Sequence, residues 1–156
     1  MSKQRGFTLV ELLVVIAIIG ILAGMAIPFT GVWVDKNQAN QAATQLNEAY
    51  GRAKAAGLRN RQAVLTDKVA SLVCISGNRL ALQEASEGAT SATCSGTPTW
   101  VASLPSEISI SDASGTVSCI AFNSRGLQVI PDDISCSGHA TFTAARGSVD
   151  AQVTLN

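Results

Sequence analysis

One carboxylate, Glu11, stands near the start of an otherwise apolar run, "FTLVELLVVIAIIGILAGMAI", from Phe7 to Ile27. From Leu12 to Ile27 there is no other charged or strongly polar residue. The run's 21 residues span roughly 31 Å as a helix, at about 1.5 Å per residue, and a bilayer's hydrocarbon core is roughly 30 Å thick. At that depth an unpartnered acid costs about 2–3 kcal/mol or more. A cut after Gly6 would supply a partner. Phe7 would then carry a free amine one helical turn from Glu11, and in an assembly of parallel helices a neighbour's amine could meet the same carboxylate. A buried acid paired with an amine is tolerable, whereas an unpaired one is not.

The flank "MSKQRG" holds Lys3 and Arg5, so the positive-inside rule keeps the N-terminus cytoplasmic and exports the chain beyond Pro28. A cleaved secretory signal would explain the basic flank but not the long apolar run, the acid, or the lack of an A-x-A site. A plain signal anchor would explain the length but not Glu11. Gly20 and Gly24 fit a close-packed helix face as well as ordinary membrane-helix composition. Pro28 removes a backbone donor and predicts a kink.

The other reactive residue types are few. Four cysteines, at 74, 94, 119 and 136, form no C-x-x-C pair, and His139 is the only histidine. No metal site and no cofactor are expected. An even cysteine number in an exported chain reads as two disulfides. Nearest-neighbour pairing, Cys74 with Cys94 and Cys119 with Cys136, closes two loops of about 20 residues, worth about 3 kcal/mol each by loop-closure entropy; the other two connectivities stay open. No serine or cysteine sits in a recognisable nucleophile motif and no glycine loop suits a phosphate, so an enzyme is not expected.

Formal net charge is zero, and residues 30–156 carry 9 basic and 10 acidic side chains, which does not suggest a nucleic-acid binder in bulk. One basic cluster, Arg52, Lys54, Arg59, Arg61 and Lys68, is the candidate for a DNA contact, although a solvated helix-to-strand turn explains it as well.

The elements that must position these groups are read from periodicity. Ala39, Ala42, Ala43, Leu46, Ala49, Tyr50, Ala53, Ala56 and Gly57 recur at steps of three and four, opposite Gln38, Gln41, Gln45, Glu48 and Arg52. This predicts an amphipathic helix running on to Gly57 or Leu58. The period then becomes two, in "QAVLT", "ASLVCI", "RLALQ", "TWVAS", "EISIS", "TVSCIAF", "LQVI", "ATFTA" and "DAQVTL". These read as antiparallel strands with one face buried and one wet. Glu84 to Pro98 reads as a surface loop tied down by Cys94. In "FNSRG", Asn123 and Gly126 suit a turn, and Arg125 is expected to anchor loop carbonyls or a carboxylate, with a contact to a neighbouring subunit as the alternative.

"RGFTLVELLVVIAIIGILAGMAIP" resembles the class III signal and N-terminal helix of type IV pilins and type II secretion pseudopilins. Gly6, Phe7, Thr8, Leu9, Glu11 and Pro28 carry that likeness. It implies an α+β type IV pilin fold, with a long N-terminal spine helix packed on antiparallel β-sheets. The implied division is a leader at 1–6, a transmembrane and filament-core helix at 7–29, an amphipathic helix at 30–58 and a β-rich head at 59–156. It also implies that a prepilin peptidase cuts between Gly6 and Phe7 and N-methylates Phe7. Glu11 and Pro28 would serve assembly, and the partners would be other major and minor pilins and an inner-membrane assembly platform. "LNEAYGRAKAAGLRNRQAVLT" and "IAFNSRGL" further resemble the GspH/FimT-type minor pilins. The expected role is a minor pilin that initiates or caps a filament, with the head periplasmic before assembly. The alternatives are a GspH-type pseudopilin of type II secretion and a DNA-binding minor pilin.

Overall fold

The computed structural model describes residues 7–131 and 134–155, without the side chains of residues 25–30. The leader with Gly6, and Asp132 and Asp133, lie outside the described residues, as does the side chain of Pro28. One helix, α1 (Leu9–Arg59), is followed by nine strands: β1 (Ser71–Ser76), β2 (Arg79–Glu84), β3 (Trp100–Ser103), β4 (Ser109–Asp112), β5 (Gly115–Thr116), β6 (Cys119–Phe122), β7 (Gln128–Val129), β8 (Thr141–Arg146) and β9 (Val149–Thr154). The protein has an α+β fold, a long N-terminal helix with antiparallel sheets packed on it, consistent with the type IV pilin fold.

The chain forms two compact units, Met1–Val34 and Asp35–Asn156. In the first, the described side chains from Phe7 to Gly24 are all exposed. Among the described residues no helix is long and apolar enough to cross a membrane; in the sequence the apolar run extends through residues 25–27.

In the second unit the alanine-rich stripe of α1 is buried against two sheets. The first has strand order β3-β2-β1-β6-β7 and the second β5-β4-β8-β9. Leu46, Tyr50 and Ala53 share one core with Val73, Leu82 and Phe122 of the first sheet and Ile110, Phe142 and Ala144 of the second. Small residues let the backbones approach. Ser71 Oγ donates to the carbonyl of Ala53 at 2.6 Å, and a Cβ on Gly57 would stand 2.8 Å from the carbonyl oxygen of Asn123. Tyr50 meets Phe122 edge-on, 4.8 Å between ring centroids, the arrangement favoured by the aromatic quadrupole. Burial holds the Tyr50 phenol above its ordinary pKa.

Three sequence expectations are corrected. "QAVLT" is no strand. Asn60 enters the left-handed region (φ 38°) as the helix ends, and Ala63 follows at φ 52°. The Asn60 side chain then bonds both backbone groups of Val64, accepting from its N–H at 2.8 Å and donating to its carbonyl at 2.9 Å. The apparent alternation is one buried valine in a side-chain-capped turn. "TVSCIAF" is two strands, because the chain changes sheets within it. The Val117 N–H bonds Ile110 in the second sheet, while the Ser118 carbonyl accepts from Ile75 in the first. Strands β1 and β6 also lack the expected wet face. Every residue of β6 is buried, since the outer face of the first sheet carries a second core of Leu72, Cys74, Cys119 and Ala121 under Val69, Ala92 and Cys136.

Candidate functional site

At the N-terminus Glu11 is not bare. Its carboxylate accepts from the N–H of Thr8 at 3.4 Å and from Thr8 Oγ1 at 3.5 Å, and the Glu11 N–H donates to Thr8 Oγ1 at 3.3 Å. Thr8 directly precedes the first helical residue, Leu9, so the pair forms a reciprocal capping box with a threonine at the cap and a glutamate three residues on. The sequence signal was the spacing T-L-V-E, and the reading that sought a partner for Glu11 in a freed amine passed over it. The bonds are long, so they hold the carboxylate loosely and leave it able to exchange partners. Acid in the first turn also faces the positive end of the helix dipole.

Of the five basic residues, the structure brings three together. Arg52, Arg59 and Arg61 line a cleft of about 510 Å³ with Glu84 and Trp100. The Arg52 guanidinium lies 5.1 Å from the Trp100 ring centroid, a cation–π distance, and also pairs with Glu48 at 2.7 Å. Arg59 stands 3.5 Å from Glu84. Lys54 does not line this cleft, and Lys68 lies in a separate depression with Asp67, Thr90 and Ser91. Trp100 was the element missing from the sequence reading; it sits on β3, an edge strand 48 residues after Arg52 in the chain.

The disulfides join Cys74 to Cys94 and Cys119 to Cys136. Each ties a covering segment to the outer face of the first sheet. Beneath the Cys94 segment, the buried Gln83 amide donates to the carbonyl of Gly96 at 2.9 Å.

A further polar cluster joins segments distant in sequence. Ser114 Oγ lies 2.8 Å from His139 Nε2, Ser137 Oγ donates to Asp112 Oδ2, and the Ser114 N–H donates to Asp112 Oδ1 at 2.7 Å. Gln128 Nε2 adds bonds to the carbonyls of Ser137 and His139. Partial desolvation pushes the Asp112 carboxyl up, but the bonds from Ser137 and Ser114, the nearby His139 and the Gly115 N–H outweigh it and hold its pKa below the ordinary value. A serine beside an imidazole suggests a nucleophile and base, but both Asp112 oxygens are bonded to serine groups rather than to the ring. A triad needs the carboxylate on the other imidazole nitrogen. The cluster instead fastens the β4–β5 hairpin to the segment after Cys136. In the "FNSRG" turn, Asn123 Oδ1 accepts from the N–H of Arg125 and of Leu127, both at 3.0 Å. The Arg125 side chain is exposed and makes no hydrogen bond or ion pair among the described residues.

An apolar helix that opens on a Phe-Thr-Leu-x-Glu cap defines a class of N-terminal segment, and residues 1–27 match the family described as "Prokaryotic N-terminal methylation motif". The chain is 38% identical over 68 residues to a "Type IV major alpha-pilin" of Moraxella bovis, covering 44% of this chain and 43% of that protein. It is 39% identical over 64 residues to a "Fimbrial protein" of Pseudomonas aeruginosa, covering 41% and 42%. Against "Fimbrial protein EcpB" of Eikenella corrodens it is 52% identical over 46 residues, covering 30% and 29%. The chain thus spans less than half the length of the curated relatives it matches. It carries the methylation motif and is homologous over part of its length to type IV fimbrial pilins, which are structural proteins. No solved structure matches it.

Proposed function

We propose that this chain is a minor pilin that initiates or caps a type IV pilus. The observation that carries the reading is the methylation motif joined to an apolar helix whose described side chains from Phe7 to Gly24 all stand exposed. Such a surface demands cover, first by lipid and then by other subunits' helices. Heterologous contacts of that kind do not close, and so they build filaments. In this reading a prepilin peptidase removes residues 1–6 and N-methylates Phe7. Residues 7–29 then anchor the chain in the inner membrane with residues 30–58 and the head at 59–156 in the periplasm, and Glu11 aligns the incoming subunit on the assembly platform. Disulfides suit the oxidising periplasm.

The minor-subunit reading draws on a contact between the two segments that resemble GspH/FimT-type proteins. Leu58 and Gly57, at the helix end, pack on Gly126 and Asn123 of the "FNSRG" turn. Relatives named as major pilins match over less than half of this chain. The same likeness covers a GspH-type pseudopilin. Deleting the gene and complementing it with wild type or Glu11→Ala separates the two: loss of sheared surface pili supports the minor pilin, whereas intact pili with lost export of a folded secreted protein supports the pseudopilin. Normal piliation and secretion in the deletion strain would remove both.

A second reading, DNA contact in natural transformation, is favoured by the convergence of Arg52, Arg59 and Arg61 beside Trp100. Cationic side chains beside an aromatic ring suit single-stranded nucleic acid, with phosphate attraction and base stacking together.

A further inference from the structure

We propose that Trp33 seats the helix at the outer lipid–water boundary before the subunit is assembled; this deepens the anchor reading above and rests on it. Trp33 is 68% exposed, and Val32 and Val34 beside it are exposed as well. Tryptophan is scarce here, two in the chain, and an indole left this open is a cost unless something covers it. Position along the helix names the occupant. Trp33 follows Ile27 by six residues in the continuous helix α1, a rise of about 9 Å. A bilayer with a core of roughly 30 Å carries an interfacial layer beyond it on each side, reaching about 40–45 Å in total. Side chains on a helix lean toward its N-terminus, so the indole covers the turn before its own Cα and falls within that layer.

The chemistry fits the same depth. Tryptophan collects at membrane interfaces because the ring is apolar while its N–H finds a hydrogen-bond acceptor among lipid carbonyls. Val32 and Val34 widen the apolar collar, and Asp35 and Lys36 follow at once. The basic Lys3 and Arg5 stand at the other end of the run. The helix is thus marked at both ends of its apolar run, by cations in the preceding sequence and by an aromatic ring beyond it.

The test uses the full chain in phosphatidylethanolamine–phosphatidylglycerol vesicles whose acyl chains are brominated either near the glycerol end or near the methyl end. Trp100→Phe leaves Trp33 as the only tryptophan. Its fluorescence is expected to be quenched severalfold more by the shallow label than by the deep one. Trp33→Phe, which leaves Trp100, is expected to lose that quenching; the difference between it and the unsubstituted chain gives the same answer should Trp100→Phe fold poorly. Equal quenching by both labels, stronger quenching by the deep label, or none overturns the assignment of Trp33. Alkaline carbonate extraction separates the two levels: chain that stays in the membrane with Trp33 unquenched removes only this inference, whereas chain released by carbonate removes the anchor reading too.

Discussion

Cys74 and Cys119 face one another as registered partners across β1 and β6, yet each is bonded elsewhere, to Cys94 and to Cys136. The two disulfides spring from one patch of sheet. Each pins a covering segment over the outer face, which is why β1 and β6 are buried on both sides although the unit has a single helix.

That juxtaposition makes a covalent prediction. Directly opposed antiparallel residues have Cα atoms about 4.5–5.5 Å apart, inside the disulfide range of about 4.4–6.8 Å. The double variant Cys94→Ser/Cys136→Ser should therefore oxidise to a Cys74–Cys119 bond. Peptide mapping under non-reducing conditions reads it directly, and two free thiols after air oxidation would contradict the register.

Arg146 ties α1 at Asp35, where the second compact unit begins, to the second sheet. Its side chain is only 19% exposed and lies 3.1 Å from Asp35, with Glu107 at 3.5 Å. Glu107 is largely solvated, so the two pairs should differ. A double-mutant cycle of Arg146→Ala with Asp35→Asn should give a coupling of about 0.5–1 kcal/mol, discounted for the partial exposure of Asp35, and the Glu107→Gln cycle a value near zero. Denaturant titration of the full chain in detergent measures both; equal couplings would show that the Asp35 contact is no clamp.

Thr8→Val and Glu11→Gln separate two roles of one carboxylate. Removing the threonine cap should weaken the first turn by about 1 kcal/mol and leave filaments largely intact. Glu11→Gln should keep leader removal but stop assembly, because the amide cannot pair with an amine as a charge. Mass spectrometry of the mature N-terminus and quantified sheared pili report the two steps. Equal assembly defects in both variants would reduce Glu11 to a capping residue.

If the arginine cleft contacts single strands, Arg59→Ala/Arg61→Ala should lower the slope of log affinity against log salt by about 1.4, about 0.7 per lost phosphate contact on a single strand. Trp100→Ala should weaken binding by about 1–3 kcal/mol. Gel shifts of the full chain in detergent across a salt series measure both, and an unchanged slope would leave the cleft without this role.

Asp112 should make the β4–β5 hairpin acid-sensitive. Its folded pKa is depressed, so its contribution is present above the ordinary aspartate value of about 3.9 and is lost as pH falls through the folded value. Protection of the Ser114 and Gly115 amides, taken relative to the intrinsic exchange rate at each pH, should fall over that acid range in the wild type. In Asp112→Asn the protection should already be low at neutral pH and show no such step.

The sequence alone determined the local features. Glu11 in an apolar run, the small-residue stripe from Ala39 to Ala56 and the alternating strands are legible because helix and strand periods depend only on neighbours in the chain. Even the Thr8–Glu11 cap was there to be read. Tertiary structure decided what depends on partners far along the chain. Val64 reads like part of a strand until the Asn60 side chain is seen to close the turn. The switch between sheets at Val117–Ser118 has no local mark, since both neighbours alternate alike, and only the acceptors in β4 and the donors in β1 tell them apart. Arg52 could not be joined to Trp100, nor Asp112 to Ser137, nor Cys74 set opposite Cys119, because proximity between distant residues arises from the packing of whole sheets and not from spacing along the chain.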